Sequence, residues 1–310
     1  MHDFFVDRVL SPPNLGSLIS SIKGRDRRGR GLRYEVPQKD RRGGNAVNLA
    51  SALTSLGLKT LLITHSDETH RMMLMQPFEG LDVEVRVKPL PPGLTLAFEG
   101  DANVMLNDER GVGEFSPSLL EKADWSALRN SELVCSVNWA SNRCGTELLI
   151  ELRKRLQKKT IFLDPADIRD RQAPYSRLLN LIKESALVDW LSLNVPEAVT
   201  SAELLGLGAR DAKDACSGIA ETLGITVDVH GRASSFSSSH GRVFRSPCRK
   251  LRTVRTIGAG DVWNGAAIYG HLTGMSDAKR LKFANAAAGV FVSSESSSPP
   301  SLARVTAAMR

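Results

Sequence analysis

Near the C-terminal end of the chain, TVRTIGAGDVWNG (253–265) sets Gly258, Ala259 and Gly260 directly before an acid, Asp261. A run able to be helical, 262–272, follows. Amides in the first turn of a helix have no partner within the helix, and the helix dipole adds partial positive charge, so such a terminus receives anions. Small residues let a phosphate approach that backbone closely. A carboxylate is out of place for holding the phosphate. It is well placed to take a proton from a hydroxyl attacking that phosphate. The arrangement therefore reads as phosphoryl transfer, with the amides of 258–260 as anion hole and Asp261 as base. Taken alone, GAGD favours a plainer reading, a glycine turn with Asp261 as helix N-cap.

Competing chemistries find little support. The sequence contains no GxxxxGK[ST] and no GxGxxG after a strand, so neither a P-loop nor a dinucleotide fingerprint is present. The six histidines are scattered, and HSDETH (65–70) reads as a loop rather than a metal site. Cys135, Cys144, Cys216 and Cys248 form no CxxC, which fits reduced thiols in a cytosol and points to a cytoplasmic protein. No apolar run approaches the roughly 20 residues that span a bilayer, and the start lacks a secretory leader. The net charge of +7 gathers in KGRDRRGRGLR (23–33) and KDRR (39–42). These segments read as solvated loop in preference to a polyanion surface. With only Tyr34 as aromatic company and no DNA- or RNA-binding signature, nucleic acid is not an expected partner.

The elements that must position these residues alternate. AVNLASALTSL (46–56) places Val47, Ala50, Leu53 and Leu56 near one helical face, Gly57 suits the stop, and 58–64 is a buried strand. Alternating runs 83–87 and 94–98 around a Pro/Gly turn predict a β-hairpin. Strands are then expected at 132–139, 160–165, 188–194 and 225–231, with helices at 145–159, 175–185 and 211–224. Serine-rich 233–242 reads as a hairpin tip, and 262–272 and 276–292 as two further helices. Repeated β-α units predict a mainly parallel sheet covered on both faces. Asn138, Asp164 and Asn194 lie at carboxyl ends of strands, where such sheets bind ligands, or serve as turn and cap residues.

Together, GGNAVNLASALTSLG (43–57) and TIGAGDVWNG (256–265) resemble the N- and C-terminal signatures of the ribokinase-like (PfkB) carbohydrate kinase family, in order and separation. The resemblance implies an α/β, ribokinase-like three-layer sandwich with a mainly parallel central sheet plus a small β lid. Residues 1–310 would form a single kinase domain, with lid strands from about 31–40 and 83–100. It implies Asp261 as base and Gly258, Ala259 and Gly260 as anion hole. Gly43, Gly44, Asn45 and Asn48 would bind substrate, with Asp7 matching an early substrate-binding acid at the end of the first strand. Asn194 and Glu197, in NVPE, match an NxxE motif that organises Mg2+ and phosphate, and Asn285 lies where the adenine pocket is built. ATP or ADP would be the donor, and the lid would pair two copies as a homodimer. Arg255 stands where the family's DTxGAGD pattern has an acid that often serves a monovalent-cation site, so K+ activation is not carried over.

GDVWNGAAIYG and VNWASNRCGTEL (137–148) more softly resemble an archaeal branch with kinases for nucleosides and ribose 1-phosphate. That branch makes ribose 1-phosphate the expected acceptor, with nucleosides or free sugars as alternatives. Asn138, Trp139 and Asn142 are then substrate-side candidates or, equally, strand-end packing residues. An acceptor phosphate would suit arginines of 25–33, with Arg41 or Arg42 beside the GGN turn. A non-catalytic ligand-binding protein and a nucleic-acid-binding protein are the readings from other classes.

Overall fold

Apolar runs in the middle of the chain become strands whose side chains alternate between two helical layers. The computed structural model describes residues 3–10, 16, 20, 37–98 and 104–310. In chain order the elements are β1 (Phe5–Leu10), β2 (Gln38–Gly43), α1 (Asn45–Ser55), β3 (Thr60–His65), α2 (Arg71–Met75), β4 (Val83–Lys88), β5 (Gly93–Phe98) and β6 (Val104–Asp108). There follow α3 (Lys122–Asn130), β7 (Leu133–Val137), α4 (Gly145–Arg155), β8 (Thr160–Asp164), α5 (Gln172–Ser185), β9 (Trp190–Asn194), α6 (Val195–Leu204) and α7 (Ala212–Leu223). The chain ends with β10 (Thr226–His230), β11 (Ser234–Ser239), β12 (Arg242–Pro247), α8 (Ala259–Leu272), α9 (Asp277–Val292) and α10 (Leu302–Ala308).

The largest sheet has the order β12-β11-β10-β9-β8-β7. Its β7 to β10 run parallel, and β11 and β12 close it antiparallel. Ile161, Leu163, Leu191 and Leu193 pack on one face with Leu149, Leu179 and Ile219. The alternate residues Phe162 and Trp190 join Cys135 and Val137 against Leu49, Trp263 and Leu281 on the other. This period of two is what a strand buried on both faces requires. Each Leu-sized side chain so buried contributes about 1.5–3 kcal/mol, against about 0–1 kcal/mol for an exposed ion pair, so the two clusters hold the layers together. The arrangement is the three-layer α/β fold expected.

The lid is a second sheet of order β2-β1-β5-β6. It corrects the expected hairpin. β4 runs parallel to β3 in a separate pair, with Thr60 opposite Val83 and His65 opposite Lys88. β5 instead runs parallel to β1 and antiparallel to β6. Pro89, Pro91 and Pro92 in the link explain the difference: they lock φ and lack N–H groups, so the chain crosses between sheets instead of folding back in a tight turn. Of the expected lid segments, 31–36 and 99–100 lie outside the described residues, as does the arginine-rich stretch 23–33. β1 and β6 are lid strands that the alternation did not reveal.

Two further expectations change. Serine-rich 233–242 is mostly β11, not a tip, with Ser235, Ser237 and Ser238 buried. Serine is small enough to let α9 close over the strand, where Ser237 Oγ accepts from the buried Arg280. The helix α6, directly after Asn194, has no counterpart in the sequence reading because the apolar residues it buries are only the small Ala198 and Ala202. Among the described residues no helix is long and apolar enough to cross a membrane.

Candidate active site

The GAGD stretch and the GGN stretch meet. α8 begins at Ala259, with Gly258 as N-cap at φ 82, a left-handed conformation that glycine adopts freely. Asp261 therefore sits inside the first turn and is not the N-cap. Its buried carboxylate accepts from Asn48 Nδ2 at 3.0 Å and from the Asn45 side chain, both on α1. The two helices pack closely, with Ala52 against Gly265. Burial first, then the charges of Asp164 and Asp3, raise the Asp261 pKa well above the usual carboxylate value, while the amides of Asn48 and Asn45 oppose the rise.

The start of α1 is tied down by Asp3. Its carboxylate accepts from the backbone N–H groups of Asn45 and Ala46, each at 2.7 Å, and from Asn138 Nδ2 at 2.9 Å. An acid at this position satisfies helix-start amides and complements the dipole. Gly44 is the N-cap at φ 100. The expected placement of Asp7 is thus corrected. It lies within lid strand β1, opposite Arg41 and Thr95, and not at the end of a central strand. The buried acid that organises the GGN turn is Asp3, which sequence reasoning missed. The signal in HDFF was an acid directly ahead of two phenylalanines, the first of which the fold buries fully.

Strand ends supply the rest. Asn138 follows β7 in a left-handed conformation, φ 56, which asparagine tolerates, and its N–H donates to Asp164 O at 2.9 Å. Asp164, at the end of β8, accepts from Asn264 Nδ2 at 2.7 Å and from Ala166 N at 2.9 Å. Burial raises its pKa to about 6. Glu197 closes a capping box with Asn194. Asn194 Oδ1 accepts from Glu197 N at 2.9 Å, and Glu197 Oε2 accepts from Asn194 N at 2.9 Å. Burial, followed by the charge of Asp164, pushes the Glu197 pKa up to about 8. Asp164 is thus the electrostatic link between Asp3, Asp261 and Glu197.

His230, also missed, ends β10 beneath the anion hole. A Cβ on Gly260 would meet its ring at 3.3 Å, and the ring lies 5.0 Å from that of Trp263. Burial lowers its pKa to about 4, so it packs there as neutral imidazole. Among the described residues Asn285 is joined to the site through Trp263, whose Nε1 donates to Asn285 Oδ1 at 2.9 Å. Its own amide donates to Ser246 O at 3.1 Å and Pro247 O at 3.4 Å. Trp139 Nε1 donates to Thr146 Oγ1, and Asn142 Nδ2 to Phe115 O, so both are engaged in packing.

Asn48 and Gly258 line a cleft open to solvent, together with lid residues such as Val9, Ala97 and Met105. Buried acids, a helix start capped by glycine and the adjoining cleft form a site able to activate a hydroxyl toward a phosphate; of the three expected anion-hole amides, that of Ala259 is corrected, since its N–H already donates to Thr256 O at 3.1 Å. Among the described residues no group of three or more His, Cys, Asp or Glu is arranged to hold a metal alone. The acid pair Asp164 and Glu197, each destabilised as an anion by burial and crowding, nevertheless suits Mg2+, which binds through one or two carboxylates plus phosphates and water.

Comparison with known proteins agrees with this geometry. The profile described as pfkB family carbohydrate kinase matches residues 27–304. The 5-dehydro-2-deoxygluconokinase of Bacillus licheniformis is 26% identical over 282 residues, covering 83% of this chain and 82% of the relative. Arabidopsis thaliana ribokinase, solved with ribose and ATP, superposes with a TM-score of 0.80 at 20% identity, over 100% of this chain and 97% of that one. A candidate ribokinase II of Escherichia coli in complex with ATP and Mg2+ gives 0.78 at 16% identity, over 99% and 96%.

Proposed function

The chain belongs to the pfkB family of carbohydrate kinases, sugar or nucleoside kinases, and we propose that it transfers the terminal phosphoryl group of ATP to a hydroxyl of a sugar-containing acceptor. The observation that carries this reading is the contact between Asn48 and Asp261, which joins two motifs more than 200 residues apart at a helix N-terminus. Asp261 takes the proton as the acceptor oxygen bonds to phosphorus and the bond to the bridging oxygen of the nucleotide breaks. The amides of Gly258 and Gly260 receive charge that develops on the phosphoryl oxygens. Asn45 and Asn48 hold Asp261 in place, and Asp3 holds Asn45 and Asn138.

Asp164 and Glu197 are the side chains that would hold Mg2+, which when bound neutralises phosphate charge. Asn194 orients Glu197, and Asn285 fixes Trp263 at the edge of the nucleotide side. ATP as donor draws support from the two solved structures above. The Arg255 guanidinium donates to Glu295 O at 2.5 Å, an arrangement that does not fit a K+ site, and no step is assigned to K+. Exposed Leu94 and Leu106 on the outer lid face support a homodimer through the lid.

The acceptor is a sugar-containing small molecule. The Bacillus relative is named for 5-dehydro-2-deoxygluconate and the Arabidopsis structure contains ribose, whereas ribose 1-phosphate draws no support from either. The test is a turnover matrix: Mg2+ with ATP or ADP, against 5-dehydro-2-deoxygluconate, ribose, ribose 1-phosphate and nucleosides, with Asp261→Asn in parallel. Turnover of one acceptor that disappears in the variant is the expected result. Nucleotide binding without transfer to any acceptor would count against the proposal.

A further inference from the structure

Among the described residues, the buried cations Lys88 and Arg280 are matched by acids, whereas the half-buried Arg42 is not. Arg280, almost fully buried, pairs with Asp228 at 2.5 Å and with Asp277 at 3.2 Å. Lys88, also buried, pairs with Asp124 at 2.5 Å and Glu121 at 3.2 Å. Arg42, at the end of β2 beside the GGN turn, has no such partner among the described residues. Its Nη2 donates to the hydroxyl of Ser51 at 2.5 Å, and its guanidinium carbon lies 4.5 Å from the centre of the Phe78 ring. Its Nη1 is buried with no acceptor. Burial alone draws its pKa down to about 10. An uncompensated buried charge is among the more costly features a fold can carry, and removing its acid partner is correspondingly destabilising.

Arg255, also half-buried, shares part of this pattern. One N–H reaches Glu295 O, while its Nε is buried without an acceptor. Both arginines line the cleft that holds Asn48 and Gly258. Arg41 lines it as well, as does the acid Asp7. The cleft over the reacting hydroxyl is therefore rich in guanidinium groups, two of which carry unmet donors.

Resting on the kinase reading above, we propose that the acceptor bears an anionic group, a carboxylate or a phosphate, received by Arg42 and Arg255. Guanidinium suits both, because its planar fork matches paired oxygens. The acceptor hydroxyl then points down toward Asp261 while its anionic group faces the arginines, so charge fixes which end of the sugar reacts. Arg42 and Arg255 act as specificity-determining residues, and Ser51 orients the Arg42 fork.

Equilibrium binding by calorimetry tests this without requiring turnover. The probes are gluconate against glucose, and ribose 1-phosphate against ribose, with wild type, Arg42→Met and Arg255→Gln. Arg42→Met keeps the aliphatic packing on Phe78, and thermal midpoints verify that each variant is folded. In wild type, at least one anionic probe binds about tenfold or more tightly than its neutral parent, the scale of one charge-assisted hydrogen bond. That preference disappears in Arg42→Met, weakens in Arg255→Gln and partly returns in Arg42→Lys. Preference for gluconate identifies a carboxylate, and preference for ribose 1-phosphate a phosphate. Equal or absent binding of the charged and neutral members overturns the proposal, as does a preference that survives Arg42→Met. Failure of the kinase reading is read separately, as lack of phosphoryl transfer in the turnover matrix.

Discussion

Behind Asn48 and Gly258, which form the floor of the cleft, Asp3, Asp164, Glu197 and Asp261 crowd carboxylates near helix N-termini; burial raises their pKa values, and the charge of Asp164 adds to it at Glu197 and Asp261. On its walls, Arg42 and Arg255 hold guanidinium groups with donors unmet. Both regions carry buried charge, yet they are stabilised differently. The floor has amides around it: Asn48, Asn45, Asn138 and Asn264 each donate to an acid. The walls offer Arg42 one hydroxyl and Arg255 one carbonyl. The floor is therefore preorganised in the protein alone, as a base and cation-binding region should be. The walls are completed only when something anionic arrives.

The comparison can be broken from either side. The largest expected effect is on the floor. Gly258→Val forces a β-branched residue toward φ 82 and misaligns the anion-hole amides, and turnover should fall about 100-fold or more. A variant with near wild-type kcat would remove the anion hole from the account. Next comes Glu197→Gln, expected to weaken Mg2+ dependence of turnover by about 10- to 100-fold, as loss of a metal-site carboxylate does. The same variant reads out in stability. The folded Glu197 pKa of about 8 exceeds its ordinary 4.5, so the folded state binds this proton more tightly than the unfolded chain. Its contribution to stability is fully present below about pH 4.5 and is lost as pH rises through about 8. The thermal midpoint of the metal-free protein should fall between pH 5 and 8, less steeply in Glu197→Gln. An unchanged slope would contradict the assigned environment.

Asn48→Ala should cost about tenfold in kcat/KM, within the range of a lost hydrogen bond to a charged group. It should also move the acid limb of the pH profile upward, because the Asn48 amide lowers the Asp261 pKa. A limb that stays put would mean that another group titrates there. The smallest effect belongs to the wall. Ser51→Ala removes the side-chain hydrogen bond that Arg42 makes among the described residues, and KM for an anionic acceptor should rise a few-fold at unchanged kcat. A kcat effect of equal size would place Ser51 with the floor.

Much of the floor was legible in sequence because its motifs are local. GGN and GAGD each announce a helix N-terminus within a few residues, and the helices that follow bury wide apolar faces, so α1 and α8 could be placed. The strands β7 to β10 were legible because burial on both faces leaves continuous apolar runs. The lid was not. β1, β2, β5 and β6 pair across distant segments, and alternation at 83–98 says that strands exist without saying which sheet receives them. Asp3 was passed over for Asp7 because both stand beside apolar residues, and only the amides of Asn45 and Ala46 distinguish them. Asn264 and His230 carry no local signal at all. Their roles depend on Asp164 and on Gly260, residues brought close by packing.

Asp261 is the point on which both regions converge, and one variant addresses it. Nucleotide binding and phosphoryl transfer would be measured in the same samples of wild type and Asp261→Asn, with the best acceptor from the turnover matrix. Nucleotide affinity is expected within about twofold of wild type and transfer reduced by about 100- to 10,000-fold, the span of a lost general base. Transfer at close to the wild-type rate, with the variant folded, would contradict Asp261 as the base.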